Sequence, residues 1–353
     1  MKKHTPRRLV ALLAAIGATL TVGIAQALEV GGLEIHGYGH QMYLKTTANK
    51  FLAADRDGSF RDNILALVLS AGIAERTKLW AQLASVNGES MSAHYFYIDH
   101  AVNDDLNVRL GKVLLPIGFY NEIIDARFLQ RSGVLPMLYQ PATDLVDEAY
   151  GGAGVSYGKS LGAGRLTVDG YGGQIVEHAS AASGKQKSLV GGRLQYRTPI
   201  EGLRVMLSGA SKRQQENGAT GDVAKKSTLL SLEYRRDHWE LKSEIGQIRR
   251  SGLGADQTTR VSYVQAGYDF SDTWSAFVRN DSLQAPGYSA SDPATYQKSL
   301  GLGVTYKLNS GVSLRVEHHF NKGYGMAVLT DETAAGQGKE KWQMLGASVN
   351  FIF

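Results

Sequence analysis

Two groupings of ionisable residues in this chain could act together. The first lies in and just before the stretch from 116 to 148, where Glu122, Asp125, Asp144, Asp147 and Glu148 stand against Arg127 and Arg131, with Arg109 and Lys112 shortly upstream. Charges of opposite sign facing each other across a narrow wet passage create a transverse field, which orders water and favours small polar solutes over apolar ones. The expected arrangement sets Glu122 and Asp125 against Arg109, with Lys112 also turned inward if Gly111 marks a bulge. The second grouping recurs at every second position of separate segments. Lys78, Arg193, Arg197, Arg204, Arg279 and Arg315 share one face, as do Arg109, Arg165, Arg235 and Lys242, interleaved with Glu34, Asp169, Glu233, Glu240, Glu244, Asp269, Asp281 and Glu317. Basic and acidic members are too evenly matched to set a sign of selectivity.

Other chemistries find little support. Without cysteine there is no disulfide, thiolate nucleophile, iron-sulfur cluster or Cys-ligated zinc. Gly158-Lys159-Ser160 resembles the end of a phosphate loop, but Ala153 replaces the required glycine and no helix pattern follows, so it reads as a turn. His36 and His40 share a strand face about 13 Å apart, too far for one metal. His318 and His319 point to opposite faces. Asp55, Asp57 and Gly58 lack the later ligands of a calcium loop. There is no Gly-x-Ser-x-Gly elbow. No catalytic, cofactor or metal set emerges.

The elements that must carry these residues are strands. Four of the 38 basic residues, Lys2, Lys3, Arg7 and Arg8, fall in the first 27 positions, which hold no acid; the remaining 34 nearly balance 33 acids, so nucleic-acid binding loses its support. Residues 1–27 have the three parts of a secretory signal peptide, with cleavage expected before Leu28. Residues 28–353 contain no apolar run of helical membrane-spanning length. They instead alternate with period two over sixteen segments: 33–45, 62–74, 77–87, 93–101, 106–115, 149–157, 165–175, 188–198, 203–212, 226–236, 239–250, 258–270, 274–282, 297–307, 312–320 and 341–353. Short and long connections alternate between them, and Pro116, Pro136, Pro141, Pro199, Pro286 and Pro293 all fall in connections, where a missing N–H does no harm. Trp239, Tyr268, Phe270, Trp274, Tyr306 and Phe320 sit near segment ends on the apolar face, as in interfacial girdles. The pattern predicts an all-β fold, a 16-stranded antiparallel transmembrane barrel over 28–353, with 116–148 as its constriction loop pinned by Phe119, Ile123, Ile124, Phe128 and Leu129.

The last segment, with Leu345, Ala347, Val349, Phe351 and Phe353 alternating, and Val108-Arg109-Leu110-Gly111-Lys112 followed by Pro116-Ile117-Gly118-Phe119, resemble 16-stranded Gram-negative outer-membrane porins, above all the phosphate-selective group. That group usually has Gly-Arg-Phe-x-x-Pro-Phe-Gly where this chain has Gly-Lys-Val-Leu-Leu-Pro-Ile-Gly. Its basic ladder cannot be matched here, so phosphate selectivity is not carried over. The resemblance implies an inward third external loop, passive diffusion of ions and small polar solutes, insertion by the barrel assembly machinery, contact with outer-membrane lipid and lipopolysaccharide, and a homotrimer without enzymatic activity. A barrel-embedded hydrolase, an anion- or phosphate-type specific channel and a secreted soluble β-protein are the alternatives. If Arg109 and Lys112 face the passage, reversing both to Glu shifts single-channel ion preference toward cations; an unchanged reversal potential removes them from it.

Overall fold

The computed structural model describes residues 28–30, 32–176, 185–215, 221–252, 254–326 and 338–353. The expected leader, 1–27, lies outside the described residues. A short strand, β1 (Leu28–Val30), precedes sixteen longer ones: β2 (Leu33–Thr46), β3 (Ser59–Ala74), β4 (Thr77–Val86), β5 (Ser92–Ala101), β6 (Leu106–Leu114), β7 (Ala149–Leu161), β8 (Gly164–Ile175), β9 (Lys185–Arg197), β10 (Leu203–Gln215), β11 (Val223–Arg236), β12 (Trp239–Ser251), β13 (Gln257–Asp269), β14 (Trp274–Gln284), β15 (Tyr296–Lys307), β16 (Val312–Gly323) and β17 (Lys341–Ile352). Each of β2 to β17 pairs antiparallel with its chain neighbours, and β17 pairs back onto β2 from Ile352↔Tyr38 to Met344↔Thr46, which closes the cylinder. Closure satisfies every strand edge, the condition for so many strands to avoid edge-to-edge association. At the seam the rings of Phe353 and Phe351 lie where side chains at Gly37 and Gly39 would otherwise project. Beyond the end of β17, β1 continues along the same flank of β2, with Leu28↔Ile35.

All sixteen predicted segments appear as strands, with ends shifted by a few residues. The largest revision is in β7, which runs through Gly158, Lys159 and Ser160 to a tight turn at Gly162; the three residues lie in a strand, not a turn. The Arg165 guanidinium fills the space that a side chain at Gly158 would need, so the glycine serves strand packing. Gly111 is not a bulge. It keeps register with Tyr97 and Gly152, and its φ of 134° lets the chain pass close to the Phe96 carbonyl, 2.5 Å from where a Cβ would stand. Among β2 to β6, register does shift in β2, in β3 and at His94 in β5.

Alternation sorts the side chains as expected. Outward positions form an apolar band in which Leu194, Leu207, Leu230 and Ile245 are cross-strand neighbours and all exposed. Such a band wraps the cylinder and exceeds the apolar patches that soluble monomers tolerate. Below it, near the short turns, Trp239 packs on Tyr268, Tyr268 on Phe270, and Trp274 on Tyr306. The buried apolar cluster lies inside the cylinder, built from inward residues of β2, β6 to β14 and β17 packed on the 116–148 segment. Val264, exposed in the middle of β13, tests which solvent the outer face meets: Val264→Lys is expected to lower folding stability in lipid vesicles by about 2–4 kcal/mol, read from denaturant midpoints, whereas a water-facing position would leave the midpoint nearly unchanged.

Candidate functional site

The segment between β6 and β7 is tied off at its base. Leu115 N donates to the Glu148 carbonyl at 3.0 Å, and the buried Asn121 amide donates to the carbonyls of Leu115, Asp147 and Glu148 at 2.9, 3.1 and 3.1 Å. Beyond that neck the chain makes four short 3-10 turns, Asn121–Ile123, Arg127–Leu129, Met137–Tyr139 and Pro141–Thr143. With little regular structure of its own, its backbone groups need partners elsewhere.

The inner wall supplies them. Glu317 accepts from Ser132 Oγ at 2.7 Å and from the amides of Gly133 and Val134 at 3.2 and 3.0 Å. Asp281 accepts from Met137 N at 3.0 Å, while Arg279 donates to the Val134 carbonyl at 2.9 Å and pairs with Asp281 at 2.7 Å. Arg315 donates to the Gln130 carbonyl at 2.5 Å. Glu244 accepts from Phe119 N, Ser231 Oγ, Tyr139 Oη and Tyr263 Oη, between 2.6 and 3.0 Å. Farther along, Asp144 meets Lys212, Lys225 and Arg250 at 2.8, 2.6 and 2.6 Å, and Asp147 meets Lys212 at 2.7 Å. The segment therefore crosses the bore from β6 to β16.

Of the residues expected to form a constriction, Glu122, Asp125, Arg127 and Arg131 lie in the crossing segment and Arg109 on β6 before it, while Lys112, with no bulge at Gly111, stays in register with the outward Phe96; the pairing differs too. Arg109 bonds Asp99 at 3.0 Å, its cross-strand neighbour, instead of Glu122 or Asp125. Glu122 pairs with Arg193 at 2.5 Å, which also holds Asp169 at 2.7 Å. Asp125 accepts from Gln82 at 2.7 Å and meets His94 at 2.8 Å. Lys112 is buried and donates to the Ala93 carbonyl at 2.8 Å. Arg127 turns to Gln130 at 3.4 Å, and Arg131 pairs with Asp269, and with Glu240 at 3.5 Å. On the wall, Arg204 pairs with Glu233 at 2.8 Å beneath the Phe119 ring, Lys78 lies over Trp80 near a short turn, and Arg197 lines a cavity described below. His94 was missed, because strict alternation with Tyr95 places it outside. Of the residues expected to pin the loop, Phe119 lies in the apolar cluster, Ile123 and Ile124 pack against it and Phe128 against a smaller cluster at Tyr38, while Leu129 is exposed; Val134, Leu135, Met137, Leu138, Tyr139 and Leu145 join the cluster as well. Apolar loop residues in a bore this wide find apolar wall positions such as Met206, Leu229, Ile248 and Val261 and exclude water from between them.

Open space remains on the short-turn side. Three cavities of about 390, 300 and 490 Å³ meet around Leu129, which lines all of them and is exposed. In the second and third, basic Arg131, Arg197, Arg204, Arg235, Lys242, Lys307 and Arg315 outnumber acidic Glu233, Asp237, Glu240 and Asp269.

No family model and no curated protein matches the chain. Solved structures do. It superposes on an anion-selective porin from Comamonas acidovorans with a TM-score of 0.62 and 14% identity, over 91% of this chain and 99% of that one. OmpT, an outer membrane protein of Vibrio cholerae in a trimer form, matches at 0.60 and 10%, over 92% and 100%. Salmonella typhi OmpF, in complex with daunomycin, matches at 0.61 and 13%, over 93% and 100%. The fold is that of the Gram-negative outer-membrane porins. The loop's best-defined electrostatic anchor is open to a pH test. Burial alone would raise the Asp144 carboxyl, yet Lys212 and Lys225 hold it down to about 2. Because the folded value lies below the ordinary one, the stabilisation, about 2 kcal/mol, is complete above roughly pH 5 and is lost as pH falls toward 2. Proteolytic cleavage within 116–148 is expected to rise over that range, and Asp144→Asn to show the raised cleavage already at pH 7.

Proposed function

We propose that this chain is an outer-membrane porin: a passive channel for ions and small polar solutes. The observation that carries the reading is a closed cylinder whose outer face is apolar while its bore holds paired charges and a crossing loop. Burying the outer band in hydrocarbon and leaving the bore wet satisfies both surfaces at once. The loop is then the resistance to flow, and Arg109, Lys112, Glu122, Asp125, Arg127 and Arg131 shape it through their wall contacts. Two of the turn-side cavities carry more basic than acidic groups, but the third is lined by Glu122, Asp125 and Glu148 without Lys or Arg, so the charges there balance and set no sign of selectivity. Kinship with the phosphate-selective group rests on Gly111-Lys112 and Pro116-Ile117-Gly118 alone, and no specific phosphate site is proposed.

Partners follow from the outer surface. At the long-loop rim Lys298, Lys322 and Lys341 stand opposite one another on adjacent strands, as do Lys226 and Arg249. Lys322 pairs with Glu340 at 3.5 Å and Arg249 with Asp256, but the like charges in register still outnumber these partners, and the phosphates of lipopolysaccharide are anions available at that height. Assembly as a homotrimer, insertion by the barrel assembly machinery and export by a cleaved leader belong to the same proposal, as does the lack of enzymatic activity. Planar-bilayer recording under a salt gradient tests it: discrete ohmic steps are expected, and Glu317→Gln should enlarge the steps by freeing the loop. Absence of steps from folded protein, with hydrolytic turnover in their place, would sink the reading.

A further inference from the structure

The loop is fastened to β4 and β5 by a contact of a different kind from the others. His94 Nδ1 lies 2.8 Å from Asp125 Oδ2 and 3.1 Å from Glu148 Oε1. The three ligand atoms all fall within 4.8 Å of one another, and His94 and Asp125 are buried. The three residues come from three places: a strand, the middle of the loop, and the loop's return to β7.

Local construction favours this convergence. Gln82 pairs with Tyr95 and Leu83 with Ala93, so His94 is the extra residue of a bulge. Strict alternation would put its ring outside with Phe96 and Ile98, which are exposed; the bulge turns it inward. Bulges re-aim side chains in this way beside functional sites. Gln82 then fixes the Asp125 carboxylate by donating to Oδ2 at 2.7 Å and is itself held by Tyr38 Oη at 3.1 Å. The Lys112 ammonium on β6 donates to the Ala93 carbonyl at 2.8 Å and keeps its charge near Glu148, while the ion-pair partner of Asp125 is the imidazole.

Both carboxylates address the same ring nitrogen. One Nδ1–H serves two acceptors poorly, and the buried Asp125 and half-buried Glu148 carboxylates repel each other. A divalent cation in place of that proton neutralises both and lets the imidazole act as a lone-pair donor. Ligands on a tetrahedral centre at about 2.0–2.1 Å stand about 3.3 Å apart, so the two separations from His94 Nδ1 need to open by only about half an ångström, and the two carboxylate oxygens lie within 4.8 Å of each other. A set with one nitrogen and two carboxylate oxygens suits zinc and its first-row neighbours, whereas calcium and magnesium prefer oxygen alone.

We infer that His94, Asp125 and Glu148 form a binding site for a first-row divalent cation of the zinc type, which pins the inward loop to the barrel wall. The site stands independently of the channel reading, because binding is measured without conductance. Titration of the full chain, refolded in detergent, with Zn²⁺ by calorimetry is expected to give one ion per chain. His94→Gln, Asp125→Asn and Glu148→Gln should each weaken binding at least ~10-fold, with His318→Gln on the outer face as an unchanged control. Heat-modifiable gel mobility reports whether each variant is folded. Zinc-edge X-ray absorption on the unmodified chain gives a second readout, with a nitrogen and oxygens expected at about 2.0–2.2 Å. Substoichiometric binding, affinity indifferent to the folded variants, or a shell without a histidine nitrogen would overturn the assignment and leave a histidine-carboxylate hydrogen-bond latch.

Discussion

Three carboxylates fixed on the inner wall, Glu244, Asp281 and Glu317, accept hydrogen bonds from the loop that crosses the bore. All three are almost wholly withdrawn from water. A buried carboxylate without donors is among the most costly groups in a protein, and a loop without secondary structure has donors without acceptors. Each deficit answers the other. The wall needs the loop to be in place, and in that place Gly133, Val134 and Met137 find their acceptors in Glu317 and Asp281. Mutual need of this sort fixes a long segment that would otherwise be free to wander, and it does so without a helix or a disulfide.

Around these bonds the apolar cluster works as filling. Leu138 and Leu145 approach Gly246 on β12, and Met42 lies against Gly133 from the opposite wall. Small residues at Gly246 and Gly133 let the two sides meet the loop closely. The bore is thereby divided into a packed level and, toward the short turns, a roomier region whose walls carry Arg204, Glu233 and Lys242 in a chain of ion pairs. Leu129, alone among the loop's larger apolar residues in being exposed, stands at the boundary.

The cylinder was largely legible in the amino-acid sequence. Period-two alternation, proline confined to connections, and aromatic residues near segment ends are local consequences of strands with one wet and one greasy face, and all sixteen strands followed from them. The crossing loop was legible as a location, since a 33-residue stretch without alternation, rich in both charges and large apolar residues, stands out. Its pairing was not. Glu122 and Arg109 carry the right signs, but cross-strand register gives Arg109 to Asp99, and the fold of the loop delivers Glu122 to Arg193. The inward turn of His94 was illegible for a sharper reason: a bulge depends on the partner strand, and nothing in Ser92-Ala93-His94-Tyr95 marks it. Gly111 shows the reverse case, where a glycine that suggested a bulge keeps regular pairing with an unusual φ.

The loop leaves the chain after β6, yet most of its wall partners reside on β10 to β16. A barrel in which only its first half has paired has neither Glu244 nor Glu317 in place against which to lay residues 116–148. Sequence distance therefore makes occlusion of the bore a late event in folding, since the loop can be laid in place only once the strands that carry its acceptors have joined the cylinder.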